Sequence, residues 1–343
     1  MSKILVTGGT GYIGSHTVVE LQDAGYTPVI IDNLSNSYSG VLKQIETITG
    51  YAPEFHEFDL CDEVKVKEFV QNNPDITGVI HFAASKAVGE SVVEPIKYYR
   101  NNFFSLVNLL NAYKGKDVNF VFSSSCTVYG QPDELPVTED APVQKAESPY
   151  GNTKQVAEEI LSDTAKAFDN YHIIALRYFN PVGAHKSALI GELPLGVPQN
   201  LVPFITQTAI GKREKITVFG DDYDTPDGSA IRDYIHVVDL AKAHVAAIKR
   251  LEDKKASNNY EVFNIGTGNG SSVLEIIKAF ESSTGVKLNY QIGPRRAGDV
   301  EKVWGDVSKS IRELGWTATL NIEEMMRSAW AWEVYLKEQN PFG

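Results

Sequence analysis

The segment Thr7 to Gly14, Thr-Gly-Gly-Thr-Gly-Tyr-Ile-Gly, constrains this chain more than any other. It satisfies Gly-x-Gly-x-x-Gly from Gly9 and Gly-x-x-Gly-x-x-Gly from Gly8, and it follows the apolar run Ile4 to Val6. Glycine lets the backbone turn tightly and approach a pyrophosphate. The helix expected over Ser15 to Ala24 aims free N–H groups and its positive dipole end at that anion. Gly8, Gly11, Tyr12, Ile13 and Gly14 are therefore candidates for holding a dinucleotide. A second apolar run ends at Asp32, where a carboxylate accepts hydrogen bonds from the adenosine ribose and repels a 2′-phosphate, which favours NAD over NADP. The competing reading of Asp32 is loop capping at a strand end. Asp59 and Leu60 close a third run and are placed to border the adenine.

Short runs rich in Val and Ile recur at Ile4–Val6, Pro28–Ile31, Glu54–Phe58, Gly78–Phe82, Asn119–Phe122 and His172–Leu176, with helical patterning between them. That alternation predicts an α/β fold, a doubly wound parallel sheet covered on both faces. After Asn180 and Pro181 the texture changes to loops rich in Gly, Pro and Asp. The expected division is a nucleotide-binding domain over 1–180, rejoined by a strand near 260–265, and a second, mainly substrate-binding α/β lobe over 181–343. A chain of 343 residues, 43% of them hydrophobic, has enough apolar surface for two cores.

With 32 Lys and Arg against 44 Asp and Glu, the net charge of −12 argues against nucleic acid as a partner. The cysteines Cys61 and Cys126 form no CxxC pair, and the seven histidines lack metal-ligand spacing, so no metal is expected. No basic leader and no apolar run of about 18 residues is visible, which predicts a cytoplasmic protein without a membrane span.

The strongest chemistry lies in Ser123 to Gly130, SSSCTVYG, and in Ser148 to Lys154, SPYGNTK. Ser148 suits the N-cap of a helix with Pro149 first, which puts Tyr150 in its first turn and Lys154 one turn later on the same face. A phenol with a pKa near 10 is a poor base at neutral pH. A cation one turn away, the helix N-terminus and a nicotinamide cation would each favour the phenolate, so Tyr150 is the candidate base. Lys154 is expected to hold the nicotinamide ribose as well, and a serine ending the fifth strand to hydrogen-bond the reacting hydroxyl.

At these residues the chain resembles the extended short-chain dehydrogenase/reductases, and within them the 4-epimerases of UDP-hexoses. The likeness runs from KILVTGGTGYIGSHT through DNLSNS, HFAASKAVGESV, SSSCTVYG, SPYGNTK, ALRYFNPVGAH and RDYIHVVDLA to RRAGD. It implies a Rossmann sheet and reversible conversion of UDP-galactose and UDP-glucose through a 4-keto intermediate with bound NAD. Tyr150 would be the base, Lys154 its electrostatic partner and Ser125 the hydroxyl donor. The NAD would be lined by Tyr12, Ile13, Asp32, Asn33, Leu34, Ser35, Asn36, Ser37, Asp59, Leu60, Phe82, Ala83, Ala84, Lys86, Asn101 and Phe179. The UDP-sugar would meet Asn180, Asn200, Leu201, Val218, Phe219, Arg232, Arg296 and Asp299. Arg232 and Arg296 suit a diphosphate because a guanidinium offers forked donors.

A nucleotide-sugar 4,6-dehydratase would share this fold, NAD, tyrosine and lysine, but needs an acid and base pair where this chain has Cys126 and Thr127. A non-catalytic NAD-binding protein would have no need of Tyr150 and Lys154 together. The resemblance places Val303 beside the sugar's C2 substituent, where a side chain smaller than tyrosine would admit UDP-N-acetylgalactosamine or UDP-N-acetylglucosamine; the plainer reading is that Val303 packs. It also implies a homodimer, for which Tyr98–Tyr113 and Val156–Phe168 are the candidate interface helices, although packing within the chain explains their apolar residues equally well.

Overall fold

The computed structural model describes residues 2–296, 300–339 and 341. Its first half contains β1 (Lys3–Thr7), α1 (Tyr12–Asp23), β2 (Thr27–Asp32), α2 (Gly40–Thr49), β3 (Glu54–Glu57), α3 (Glu63–Asn72) and β4 (Ile76–His81). These are followed by α4 (Val88–Val93), α5 (Pro95–Ala112), β5 (Val118–Ser125), α6 (Pro149–Ala167) and β6 (Tyr171–Tyr178). The second half adds β7 (Asn180–Val182), α7 (Leu201–Ala209), β8 (Ile216–Phe219), β9 (Ile231–His236), α8 (Val237–Glu252) and β10 (Tyr260–Ile265). The chain then continues through β11 (Gly270–Ser272), α9 (Val273–Thr284), β12 (Tyr290–Gly293), β13 (Lys302–Val303) and α10 (Ile322–Gln339).

Seven strands form one sheet in the order β3-β2-β1-β4-β5-β6-β10, and every pair in it is parallel. The pleat sends alternate residues to opposite faces, and both faces are apolar. Ile4, Val6, Ile30, Ile80, Val121 and Ile174 enter one core, closed by Val18 and Leu21 of α1, Ile45 of α2 and Leu240 and Ile248 of α8. Leu5, Val29, Ile31, Val79, Phe120 and Ile173 enter the other, closed by Val66 of α3, Leu106 and Leu109 of α5 and Leu161 of α6. This is the doubly wound Rossmann sheet expected from the strand spacing. The strand order reverses between β1 and β4, so the ligand crevice lies at their carboxyl ends, beyond Thr7 and His81.

After β6 the chain builds a smaller layer. β9 pairs with β7, β11 and β13, while β8 pairs with β12. Val202, Ile205, Phe280, Met325 and Met326 fill its core beneath α7, α9 and α10. The two Met residues pack there, as their place on an amphipathic helix leads one to expect. The chain does not stay in this layer: α8 closes the first core, and β10 extends the large sheet beside β6.

Asp239 of α8 binds the segment that leads into α10. Its carboxylate accepts from the Thr319 and Leu320 N–H groups, both at 2.8 Å, and from the Thr319 hydroxyl at 3.0 Å, and the side chain is 1% exposed. Asp239→Ala strands these donors, and a loss of about 2–4 kcal/mol is expected at neutral pH. Urea unfolding should show a lowered midpoint with an unchanged slope.

Candidate active site

β1 ends at a turn built on contacts between backbones. Gly8 has φ of 70° and donates its N–H to the Ile31 carbonyl at 2.8 Å. A Cβ on Gly8 would lie 2.8 Å from the Ala83 nitrogen, and one on Gly14 would lie 2.2 Å from the Gly8 carbonyl oxygen. α1 starts at Tyr12, three residues before the sequence-based start, and no side chain caps it. The geometry is that of a cradle for phosphate: a close backbone, an uncapped helix N-terminus and no first-turn carboxylate. The residues therefore fit an NAD pyrophosphate.

Around this turn the structure gathers the other predicted cofactor residues. Asp32 accepts from the Thr10 N–H at 3.2 Å, the Leu34 N–H at 2.9 Å and the Ser37 hydroxyl at 3.2 Å, so it organises the loop Asn33 to Ser37. An ionised carboxylate has about four acceptor sites, which leaves capacity for a ribose hydroxyl. Loop capping and ribose binding are thus compatible at this residue. Tyr12 donates its hydroxyl to the Gly183 carbonyl at 2.6 Å, and the Lys86 ammonium lies 6.0 Å from the Tyr12 ring centre and 3.8 Å from Glu192. Phe82 packs at a tilt against His244, with ring centres 4.6 Å apart. Asn101 donates to the Ser85 hydroxyl at 3.2 Å, next to Ala83, Ala84 and Lys86.

Asn102, which the sequence reading did not single out, accepts from the Ser85 N–H at 2.8 Å and donates to Thr153 at 3.0 Å. It ties the loop after β4 to α6. A polar side chain among the apolar positions of α5 was its only sequence signal. Asp59 caps its own turn by accepting from the Cys61 N–H at 2.8 Å. Leu60 follows it in the chain. Its side chain is buried in the second core, so only its main chain is left to meet a ligand.

The catalytic candidates converge where β5 ends beside the N-terminus of α6. Ser148 caps α6 as its sequence suggested, accepting the Gly151 N–H at 3.1 Å with Pro149 first in the helix. Tyr150 then lies in the first turn. Lys154, 5% exposed, donates to the Ser123 carbonyl at 2.7 Å and lies 5.9 Å from the Tyr150 ring centre. Ser125 accepts the Thr127 N–H at 3.2 Å and keeps its own proton to donate.

One electrostatic expectation is corrected. Burial pushes the Tyr150 phenol up, Tyr178 adds to this, and the hydrogen-bonded Ser125 opposes it without prevailing. The neighbouring cation and the helix end do not make a phenolate in the protein alone, because desolvation of the anion outweighs them. Burial also lowers Lys154 to about 8, partly opposed by Glu158, so the ammonium still predominates at neutral pH.

The second layer places Arg232 near the strand-end serine and Asn200 near Lys86. Arg232 donates to the Ile231 carbonyl at 2.8 Å, and its charge acts on the Cys126 thiol next to Ser125. Val303, in register with Arg232, packs with Val128, Tyr129, Val137 and Phe179 in a small core against which Cys126 rests. Arg296 lies 5.8 Å from the Phe219 ring centre, and Phe219 is exposed. Asn180 opens β7, and Asn200 stands at the N-cap position of α7 ahead of Leu201, its side chain donating to Glu192 at 2.7 Å instead of capping the helix. Val218 is buried in the third core, so any ligand contact it makes is through its main chain. Asp299 lies outside the described residues.

A family model described as GDP-mannose 4,6 dehydratase matches residues 5–329. The chain is 52% identical over 332 residues to a UDP-glucose 4-epimerase of Dictyostelium discoideum, covering 96% of this chain and 95% of that protein. It is similar to the structure of UDP-glucose-4-epimerase from Stenotrophomonas maltophila with bound NAD and formylated UDP-arabinopyranose, with TM-score 0.95 and 48% identity over 98% of this chain and 99% of that one. UDP-glucose 4-epimerase from Bifidobacterium longum in complex with NAD+ and UDP gives TM-score 0.93 and 47% identity over 99% of this chain and all, 100%, of that one. The chain belongs to the UDP-glucose 4-epimerase family.

The geometry separates this epimerase-family site from a dehydratase site. Elimination of water needs a proton donor and acceptor after the strand-end serine. Here burial pushes the Cys126 thiol up to about 12, partly offset by Arg232, and Thr127 has no acid chemistry at neutral pH.

The cofactor cradle makes a sharp prediction. Gly14→Ala forces a methyl against main chain that has no freedom to move aside, so the purified variant is expected to carry less than about a tenth of the wild-type NAD, a loss that steric exclusion at a phosphate cradle accounts for. Circular dichroism should retain the helix content, and acid-released nucleotide gives the occupancy.

Proposed function

We infer that the protein catalyses the reversible C4 epimerisation of UDP-galactose and UDP-glucose, with NAD as its cofactor. The observation that carries this reading is the convergence of Ser125, Tyr150 and Lys154 beside the glycine turn, with no carboxylate at positions 126 and 127.

The cofactor would rest on Gly8 to Gly14, Asp32 to Ser37, Lys86, Asn101 and Lys154. When bound, NAD supplies an acceptor and donor for the C4 hydrogen with its electron pair, and a positive ring near Tyr150 that offsets the burial penalty on the phenolate. Tyr150 accepts the proton of the sugar's 4-hydroxyl as that hydrogen leaves C4, and later returns it to the 4-keto oxygen. Ser125 donates to the same oxygen, where negative charge develops. Lys154 holds its ammonium close to Tyr150 throughout.

Inversion requires the 4-keto sugar to present its other face, so the hexose must be loosely held and the nucleotide firmly held. Arg232 and Arg296 supply charge for the diphosphate; Asn180, Asn200, Leu201, Val218 and Phe219 complete the nucleotide-sugar contacts. Binding energy then resides mainly in UDP, away from the reacting ring. In this division of labour residues 1–180 with β10 carry the cofactor, and residues 181–343 mainly the UDP-sugar. Val303 packs in the small core beside Phe179; because it is smaller than a tyrosine at the position that the resemblance puts beside C2, we extend the reading to UDP-N-acetylgalactosamine and UDP-N-acetylglucosamine.

Proton NMR with UDP-galactose and no added cofactor tests the reading. The anomeric signals should relax to a mixture with UDP-glucose, and the N-acetylated sugars should interconvert in the same way. Tyr150→Phe should lower kcat by about 10²–10⁴-fold, the span of a lost general base. A 6-deoxy-4-keto methyl signal would identify a dehydratase, and no change would leave only the cofactor assignment.

We also propose a homodimer in the cytoplasm. No helix among the described residues is long and apolar enough to cross a membrane. α5 exposes Ile96, Phe104 and Val107, and Phe168 follows α6, which gives the two helices an apolar face for a symmetric four-helix contact. Light scattering should return twice the chain mass; a monomer at micromolar concentration removes the dimer.

A further inference from the structure

Tyr150 and Lys154 are not the end of their row. One turn further along α6, on the same face, comes Glu158, 7% exposed. Its carboxylate is held by Arg177 of β6, whose Nε donates to both oxygens at 3.0 and 3.2 Å and whose Nη2 donates at 2.6 Å. Arg177 is itself fixed: its guanidinium lies 4.8 Å from the Tyr129 ring centre, and Nη1 donates to the Glu139 carbonyl at 3.1 Å. Ser124, fully buried and adjacent to Ser125, donates its hydroxyl to Glu158 at 2.5 Å.

A buried carboxylate with one matched arginine is a costly arrangement, and apolar residues of similar volume commonly do as well for stability. Its placement needs another reason. Glu158 joins the three segments that carry the catalytic groups: β5 through Ser124, α6 through its own backbone, and β6 through Arg177. It also supplies a negative charge to the buried end of the Lys154 row. We propose that Glu158 is a positioning residue of the reaction, which fixes the Ser124–Ser125 strand end and places a carboxylate one helical turn from the Lys154 ammonium.

The surrounding titratable groups support this assignment. From β4, His81 faces Lys154 but is pushed down to about 3 by burial and by Lys154 itself, so it carries no charge. From β6, Tyr178 shares a hydrogen bond of 2.5 Å with Ser123, and burial raises it to about 12. Tyr150 on α6 is neutral for the reason given above. From β10, the Tyr260 hydroxyl approaches Glu158 at 3.4 Å, and burial holds that phenol neutral. Tyr129, beside Arg177, is likewise held neutral by burial. Burial lowers Lys154 to about 8, and Glu158 is the group that opposes it.

The sign follows directly. The Lys154 ammonium is lost as pH rises through about 8, so kcat should fall on the alkaline side there. Glu158→Gln keeps the shape and a hydrogen-bond acceptor but removes the charge, leaving Arg177 as an unopposed cation nearby. The Lys154 titration should then move down by about one pH unit, the scale of a neighbouring charge. The alkaline limb of kcat should move with it, while KM for the UDP-sugar stays within about twofold, as expected when uniform binding is untouched.

The experiment is ¹³Cε NMR of lysine-labelled holoenzyme, with the Lys154 signal assigned by its absence from Lys154→Arg, alongside kcat against pH. The kinetic arm rests on the epimerase reading; the NMR arm reads Lys154 whatever the substrate. Glu158→Asp restores the charge but packs less well than Gln, so it should titrate closer to wild type than Glu158→Gln does. A residue with only a structural role reverses that order, because Gln is the better isostere. Should Glu158→Gln fail to fold, Glu158→Asp and Ser124→Ala still decide: Ser124→Ala should lower kcat several-fold with the Lys154 titration unmoved. A Lys154 titration unchanged in Glu158→Gln, or full kcat in Ser124→Ala, overturns the proposal.

Discussion

The site depends first on a place where main chain meets main chain. At Gly8 and Gly14 there is no room for one carbon atom, because the Ala83 nitrogen and the Gly8 carbonyl oxygen occupy it. This packing lets the end of β1, the start of α1 and the loop after β4 share one small volume. It also leaves the first N–H groups of α1 uncapped at the reversal of strand order. A dinucleotide phosphate satisfies donors that the fold otherwise leaves facing the crevice.

The second constraint is electrostatic. The protein buries a lysine and a tyrosine together and lets desolvation act on both, lowering the one and raising the other. Left to itself, such a pair stays as ammonium and neutral phenol. Further positive charge arriving beside Tyr150 offsets that burial penalty and favours the base. That suits an enzyme whose Tyr150 must take and return a proton within one turnover, since a permanent phenolate would be a poor donor on the way back.

What the sequence made legible was local. The continuous apolar runs around Ile4, Val29 and Ile80 mark strands buried on both faces, and the glycine turn, the Ser148 cap and the Tyr150 to Lys154 spacing are each contained within eight residues. What stayed hidden came from long-range packing. Leu60 and Val218 turn their side chains into cores assembled from distant segments, which no nearby residue announces. The same holds at Tyr150: the charges were countable in the sequence, and the burial was not. Asp239 and Thr319, eighty residues apart, could not have been paired from spacing at all.

The route of the chain bears on how such a site works. After β6 the backbone enters the smaller layer at β7, returns to the large sheet for α8 and β10, leaves again for β11 to β13, and is pinned to α8 once more at Thr319 and Leu320 before α10. Two layers threaded through each other this often are tied by repeated crossings of the chain, and wide hinge opening would break Asp239's hydrogen bonds. Motion within the crevice is therefore left mainly to the ligand and to side chains. A reaction that needs one group to turn over while the cofactor stays in place is well served by walls of this kind, because the freedom the sugar requires is not matched by freedom for the dinucleotide to leave.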